Sequence, residues 1–150
     1  MVNGIGVIKA TLDYPSASLP YESDQVVEIC CNLDDQTAER TAWMMETLLA
    51  RGALDANVTP VTGKKSRLGI QLSVLADPSG WQGIADWILR NSTTFGIRHR
   101  TWDRLKLARR METRKTEAGE VRYKIGMTTA GEVLKEKAEF EDLRKVWDRE

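Results

Sequence analysis

From residue 26 onward the apolar positions switch between period two and a period of three to four, which predicts strands alternating with helices. Val26–Cys31 reads as a short apolar strand. Asp34 or Asp35 is placed to cap a helix whose apolar positions Ala38, Ala42, Met45 and Leu49 recur at helical spacing, widened by Met44 and Leu48 and stopped by Gly52. Leu54–Val61 turns Leu54, Ala56 and Val58 to one side. Leu68–Ala76 does the same with Leu68, Ile70, Leu72 and Val74, so both are half-buried strands. Asp77-Pro78 opens a second helix with Trp81, Ile84, Ala85, Ile88 and Leu89 on one face, and Phe95–Leu107 is a longer strand.

The order β-α-β-β-α-β predicts an α+β fold with a ferredoxin-like βαββαβ core, an antiparallel sheet carrying two helices on one face. Beyond it, Met111–Thr116 and Val121–Met127 flank Glu117-Ala118-Gly119-Glu120 as a β-hairpin. Glu139–Arg149 sets Phe140, Leu143, Val146 and Trp147 at helical spacing. The expected organisation is an N-terminal strand or linker over residues 1–24, with Gly4-Ile5-Gly6 as its edge strand. A single α+β domain over 25–150 follows, its core at 25–107 and a C-terminal hairpin and short helix at 108–150. The tail has too few apolar residues for a core of its own.

Composition removes several functions. With 22 Lys and Arg against 22 Asp and Glu the protein has no bulk attraction for nucleic acid or a membrane surface. No apolar run approaches the roughly 20 residues of a membrane span, and the first residues do not read as a signal peptide. The two cysteines, Cys30 and Cys31, are adjacent in an apolar run and read as buried thiols of a cytoplasmic protein. A single histidine, His99, excludes a multi-His zinc or nickel site within one polypeptide, and its place on the apolar side of its strand predicts a packed imidazole.

Against a neutral background, local charge stands out. Gly63-Lys64-Lys65-Ser66-Arg67 is a turn carrying three cations, suited to a phosphate or carboxylate. The strand after Thr93-Thr94-Phe95-Gly96 puts Ile97, His99, Thr101 and Leu105 on one face and Arg98, Arg100, Trp102, Arg104 and Lys106 on the other. That second face is either a solvated stripe or an anion site, and Thr94 adds a hydroxyl beside it. Asp34-Asp35 is either a helix cap or a hard-cation site, because Mg²⁺ or Mn²⁺ on a nucleotide is held by one or two carboxylates plus phosphate oxygens. Glu139-Phe140-Glu141-Asp142 is a further carboxylate cluster at a helix start.

The ordered set Asn32-Leu33-Asp34-Asp35, Gly52-Ala53-Leu54-Asp55, Thr59-Pro60, Lys64-Lys65 with Arg67 and Gly69, and Thr93-Thr94-x-Gly96-Ile97-Arg98 resembles the C-terminal domain of the LarC family of nickel-insertion proteins. The segment from Arg104 to Arg109-Arg110, Gly119-Glu120-Val121-x-x-Lys124 and Glu139-Phe140-Glu141-Asp142 extends the resemblance to residues 26–142. It implies a CTP- and Mn²⁺- or Mg²⁺-binding domain. Such a domain supports CTP-dependent nickel insertion into pyridinium-3,5-bisthiocarboxylic acid mononucleotide, which makes the nickel-pincer cofactor. By that resemblance Lys64, Lys65, Arg67, Arg98, Arg100 and Thr94 are assigned to the nucleotide, and Asp34, Asp35 and Glu141 to the metal. No His-rich segment is present, so chelatase activity would need a His-rich nickel-binding partner chain. A homo-oligomer is expected. The alternative is a non-catalytic nucleotide- or anion-sensing regulatory module; RNA binding is disfavoured by neutral charge and the lack of paired exposed aromatics.

Overall fold

The strand expected at Val26–Cys31 is the middle of a longer one, β1 (Glu22–Leu33). The computed structural model describes residues 19–116 and 119–147, so the Gly4-Ile5-Gly6 strand, the hairpin residues Glu117-Ala118 and the last expected helical residues lie outside the described ones. The described residues form two units, one spanning Ser23–Lys106 and the other made of residues 19–22, 107–116 and 119–147.

In the first unit β1 is followed by α1 (Ala38–Ala50), β2 (Asp55–Thr62), β3 (Leu68–Ala76), α2 (Trp81–Asn91) and β4 (Arg98–Lys106). The sheet order is β2-β3-β1-β4. β3 runs antiparallel to both β1 and β2, with Cys31 opposite Leu72 and Val58 opposite Leu72 from the other side. Alternate residues of the strands face the helices: Val27, Ile29, Cys31 and Leu33 of β1 and Leu72, Val74 and Ala76 of β3 form one core with Met44, Leu48, Ile84, Trp87 and Ile88. Each large side chain so buried contributes about 1.5–3 kcal/mol.

Several local details depart from the sequence reading. Asp34 and Asp35 do not cap α1. The cap is Thr37, whose hydroxyl accepts the Arg40 N–H at 3.3 Å; Met44 and Leu48 are buried as expected, together with Thr41, and Met45 packs half-buried on the core, while Ala38, Ala42 and Leu49 are exposed. The helix stops as expected. Gly52, at φ +94°, donates to Leu49 O, and Ala53 donates to Leu48 O, a Schellman closure that needs a left-handed residue. Pro78 sits in the turn before α2, which begins only at Trp81. There Asp77 Oδ1 accepts the Ser79 N–H and hydroxyl, and the Asp77 backbone carbonyl accepts the Trp81 N–H. Leu54, Leu68 and Leu89 are exposed rather than packed. His99 is exposed and stacks on Trp81 with centroids 4.2 Å apart, not within the core.

The second unit is more than a hairpin and a helix. β5 (Ala108–Thr116) and β6 (Gly119–Met127) pair antiparallel with Thr116 opposite Gly119, and a third strand, β7 (Val133–Ala138), adds to β6. β7 escapes an apolar-periodicity reading because Lys135, Glu136 and Lys137 make it a charged edge strand, held by its ladder to β6 and by Glu136 on Arg114. α3 (Phe140–Trp147) follows. Its buried Asp142 accepts the Arg122 backbone N–H at 3.0 Å and that residue's Nε at 2.8 Å, tying helix to strand. No described helix is long and apolar enough to cross a membrane.

Candidate functional site

The turn between β2 and β3 is the structural basis of a candidate anion site. Gly63 N–H donates to Arg67 O at 2.8 Å, closing a tight loop in which Lys65 and Ser66 both take left-handed backbone conformations, φ 58° and 57°. For a non-glycine residue this costs roughly 1–2 kcal/mol, so the loop holds Lys64, Lys65 and Arg67 outward against local strain. β3 then passes close to the end of β1, and Asp34 comes alongside Arg67, Oδ2 to Nη1 at 3.4 Å. Both side chains are more than half exposed, and such a pair contributes only about 0–1 kcal/mol, so an incoming anion can claim Arg67 with little loss.

The result is a cleft of about 460 Å³ lined by Asn32, Asp34, Lys64, Lys65, Arg67 and Arg98, with Gly63 and Gly69 among its walls. Arg98 reaches it from β4. Its Nη2 donates to Asn32 Oδ1 at 2.9 Å and to Gln71 Oε1 at 3.4 Å, both neutral acceptors, so among the described contacts its charge is not cancelled by a carboxylate. Four cations and one carboxylate therefore share one cleft.

The rest of the β4 stripe behaves differently. Asp24 takes Arg104 and Lys106, each at 2.8 Å, and its carboxyl is held well below the usual range by the Arg104 bond first and the Lys106 bond second. Arg100 Nε donates to Glu28 Oε2 at 2.8 Å, and its guanidinium lies 3.7 Å over the Trp102 ring. Trp102 Nε1 donates to the same oxygen, and Ser73 Oγ to Oε1. With these donors Glu28 is lowered to about 2, the Trp102 bond being the largest cause and burial opposing. Cys30 donates to Ser73 Oγ; burial raises its thiol, and raises the fully buried Cys31 to about 11. The stripe that the sequence left open between solvated face and anion site is thus mostly an ion-pair seam, with Arg98 as the exception.

Of the expected nucleotide residues, the structure brings Lys64, Lys65, Arg67 and Arg98 together. Arg100 faces a neighbouring depression. Thr94 bonds within its own turn, accepting the Gly96 N–H and donating to Gly96 O, and does not line the cleft. Of the expected metal carboxylates Asp34 lines the cleft, Asp35 does not, and Glu141 belongs to the first turn of α3 in the other unit. Among the described residues no three His, Cys, Asp or Glu side chains gather into a metal site. Gln71, Glu28 and Ser73 are not singled out by the sequence, and Asn32 is so only as part of the Asn32-Leu33-Asp34-Asp35 motif; the signal for all four is the polar alternation of β1 and β3 opposite a basic strand.

A family model described as nickel insertion protein matches residues 3–150. A putative nickel insertion protein of Myxococcus xanthus is 46% identical over 115 residues, covering 77% of this chain and 29% of that protein. The pyridinium-3,5-bisthiocarboxylic acid mononucleotide nickel insertion protein of Staphylococcus saprophyticus is 35% identical over 140 residues, 93% of this chain and 35% of that one. The chain therefore spans about a third of the length of these curated relatives. Among solved structures, LarC2 superposes with a TM-score of 0.80 at 33% identity, covering 85% of this chain and 88% of the other. That protein is described as the C-terminal domain of a cyclometallase involved in the synthesis of the NPN cofactor of lactate racemase. Protein MK0293 of Methanopyrus kandleri superposes with a TM-score of 0.67 at 26% identity, covering 85% of this chain and 80% of that one. With its mixed α and β elements, antiparallel sheets and clustered cations on a frame like that of LarC2, the chain belongs to the nickel insertion protein family.

Proposed function

We propose that this protein is the nucleotide-binding part of a nickel insertion system: it holds CTP with Mn²⁺ or Mg²⁺ while nickel is inserted into pyridinium-3,5-bisthiocarboxylic acid mononucleotide. The observation that carries the reading is the cleft in which Lys64, Lys65, Arg67 and Arg98 converge around Asp34. A triphosphate brings several negative charges to one place, and guanidinium and ammonium donors match them. A hard cation on such a nucleotide takes most of its oxygens from phosphate and water and one or two from protein. Asp34 beside the cations fits that donor set, with Asp35 and Glu141 as further carboxylates in the expectation. When bound, the metal would neutralise and orient the phosphates. The protein's own residues position the triphosphate electrostatically and keep Asp34 close to it.

The frame fits a ferredoxin-like βαββαβ core, supported by the strand order β2-β3-β1-β4 and by one core shared with both helices. Nickel is cargo here. With one histidine and no described cluster of three metal-binding side chains, its ligands would come from elsewhere, such as a His-rich segment or partner chain. We place the reaction in the cytoplasm, in keeping with two free thiols, and in a homo-oligomer. The experiment is calorimetric titration of the protein with CTP, ATP, GTP and UTP, with and without Mn²⁺. Metal-dependent, CTP-selective binding is expected, and the absence of nucleotide binding would sink the proposal.

A further inference from the structure

Beside the cation-lined cleft, and sharing Arg98 with it, lies a second depression of about 260 Å³ whose lining includes Glu28, Cys30, Gln71, Arg98 and Arg100. We propose that this depression is a separate anion subsite that takes the acid groups of a carboxylate- or thiocarboxylate-bearing pyridine ring, so that the ring-bearing substrate sits next to the nucleotide with Arg98 between them.

Four observations support it. Arg100 is held rather than free: its Nε is committed to Glu28 and its plane is stacked 3.7 Å over Trp102. That arrangement engages the inner edge of the guanidinium. Its two terminal nitrogens make no ion pair or hydrogen bond among the described contacts, and a preset planar fork of this kind matches a carboxylate. Arg98 lies two residues away on the same face of β4, so two guanidinium groups point the same way, one anchored through a carboxylate and one through amide oxygens. Glu28 is the carboxylate of this lining, and Arg100, Trp102 and Ser73 all donate to it, so its charge is already countered by the guanidinium beside it. Cys30 donates to Ser73 Oγ, which donates onward to Glu28, and burial keeps that thiol protonated while offering a polarisable sulfur surface. Finally, the volume falls below the roughly 300 Å³ at which drug-sized pockets begin, which suits a single substituted ring better than a whole nucleotide. The choice of a pyridine ring rests on the function proposed above; the anion subsite itself rests on the geometry alone.

The test is calorimetry on the full-length protein with pyridine-3,5-dicarboxylate as the probe, and ribose 5-phosphate in a parallel arm for the phosphate end of a mononucleotide. The dicarboxylate is expected to bind both alone and in the presence of saturating CTP with Mg²⁺. Arg100→Gln is expected to weaken it roughly tenfold or more, and Arg100→Lys not to restore it, because the ammonium lacks the fork. Folding of both variants is checked by their urea midpoints. Full displacement of the dicarboxylate by CTP would mean one anion cleft and overturn the proposal. So would undiminished binding by a folded Arg100→Gln, no dicarboxylate binding at all, or tighter binding of ribose 5-phosphate at this position. Dicarboxylate binding without any CTP binding would overturn the nucleotide reading and leave the subsite standing.

Discussion

Gly69 of β3 runs so close to the end of β1 that a Cβ on it would lie 2.6 Å from the Leu33 carbonyl oxygen and 3.1 Å from Asp34 Cα. Both obstacles are backbone and cannot swing aside. Gly69→Ala must therefore push β3 from β1 at the point where Asp34 meets Arg67. The expected cost is about 1–3 kcal/mol of stability, the usual penalty of overpacking, read as a fall in the urea midpoint. The cleft should also lose affinity for tripolyphosphate. An alanine variant as stable as the parent would show that the close approach is not needed.

The neighbouring turn stores strain of a different kind. Ser66 takes a φ of 57° that glycine accepts freely. Ser66→Gly relieves it but makes the unfolded state more flexible, and the two effects nearly cancel. Thermal unfolding should place this variant between neutral and about 1 kcal/mol more stable than the parent. A clear loss of stability would mean that the hydroxyl holds the turn.

Acid should weaken the first unit in a predictable window. Glu28 is lowered from its ordinary 4.5 to about 2 by Trp102, Ser73 and Arg100. A carboxylate with a depressed folded value stabilises the fold at pH above its unfolded value, and that contribution is lost as pH falls from about 4.5 toward 2. Glu28→Gln should thus show a shallower decline of stability over that range than the parent. The decline does not vanish, because Asp24 in the same unit is lowered as well, by Arg104 foremost. Urea midpoints at several pH values measure it, and parallel curves for the two proteins would refute the assignment to Glu28.

In the second unit, Asp142 joins α3 to β6 through three bonds from Arg122. Removing its charge in Asp142→Asn leaves an acceptor for the backbone N–H but weakens the guanidinium contacts. Amide exchange should then quicken in α3 by roughly tenfold while the first unit is unaffected. Equal acceleration in both units would indicate a general loss of stability instead.

Much of this architecture was legible because strands and helices advertise themselves by burial on one side. β3 appears at Leu68–Ala76 as its alternation predicted, and Gly52 ends α1 for the conformational reason that a glycine there suggests. What escaped is what local pattern does not encode. β7 is specified by its partner β6 rather than by apolar periodicity, and Thr37 rather than Asp34 is the cap because a four-residue connection, Asp34 to Thr37, separates the end of β1 from the start of α1 at Ala38. The cations of the candidate cleft were visible as a cluster in the turn. That Arg98 would join them while Arg100 and Arg104 turned to Glu28 and Asp24 depends on register across β1, which no single strand reveals.

Asp34 offers the sharpest test of the cleft itself, because it touches one of the cations it would share with a ligand. If its role is to hold a metal on the nucleotide, Asp34→Asn should reduce the gain in CTP affinity that Mn²⁺ brings. The same change removes a negative charge from the cleft and releases Arg67, so metal-free tripolyphosphate should bind more tightly, by a few-fold given the exposure of the pair. Arg67→Ala should act in one direction only, weakening both ligands by roughly tenfold. Opposite signs for the two ligands in Asp34→Asn mark a carboxylate that faces metal. A uniform increase for both would make Asp34 merely a competitor for Arg67, and the metal would then need other carboxylates.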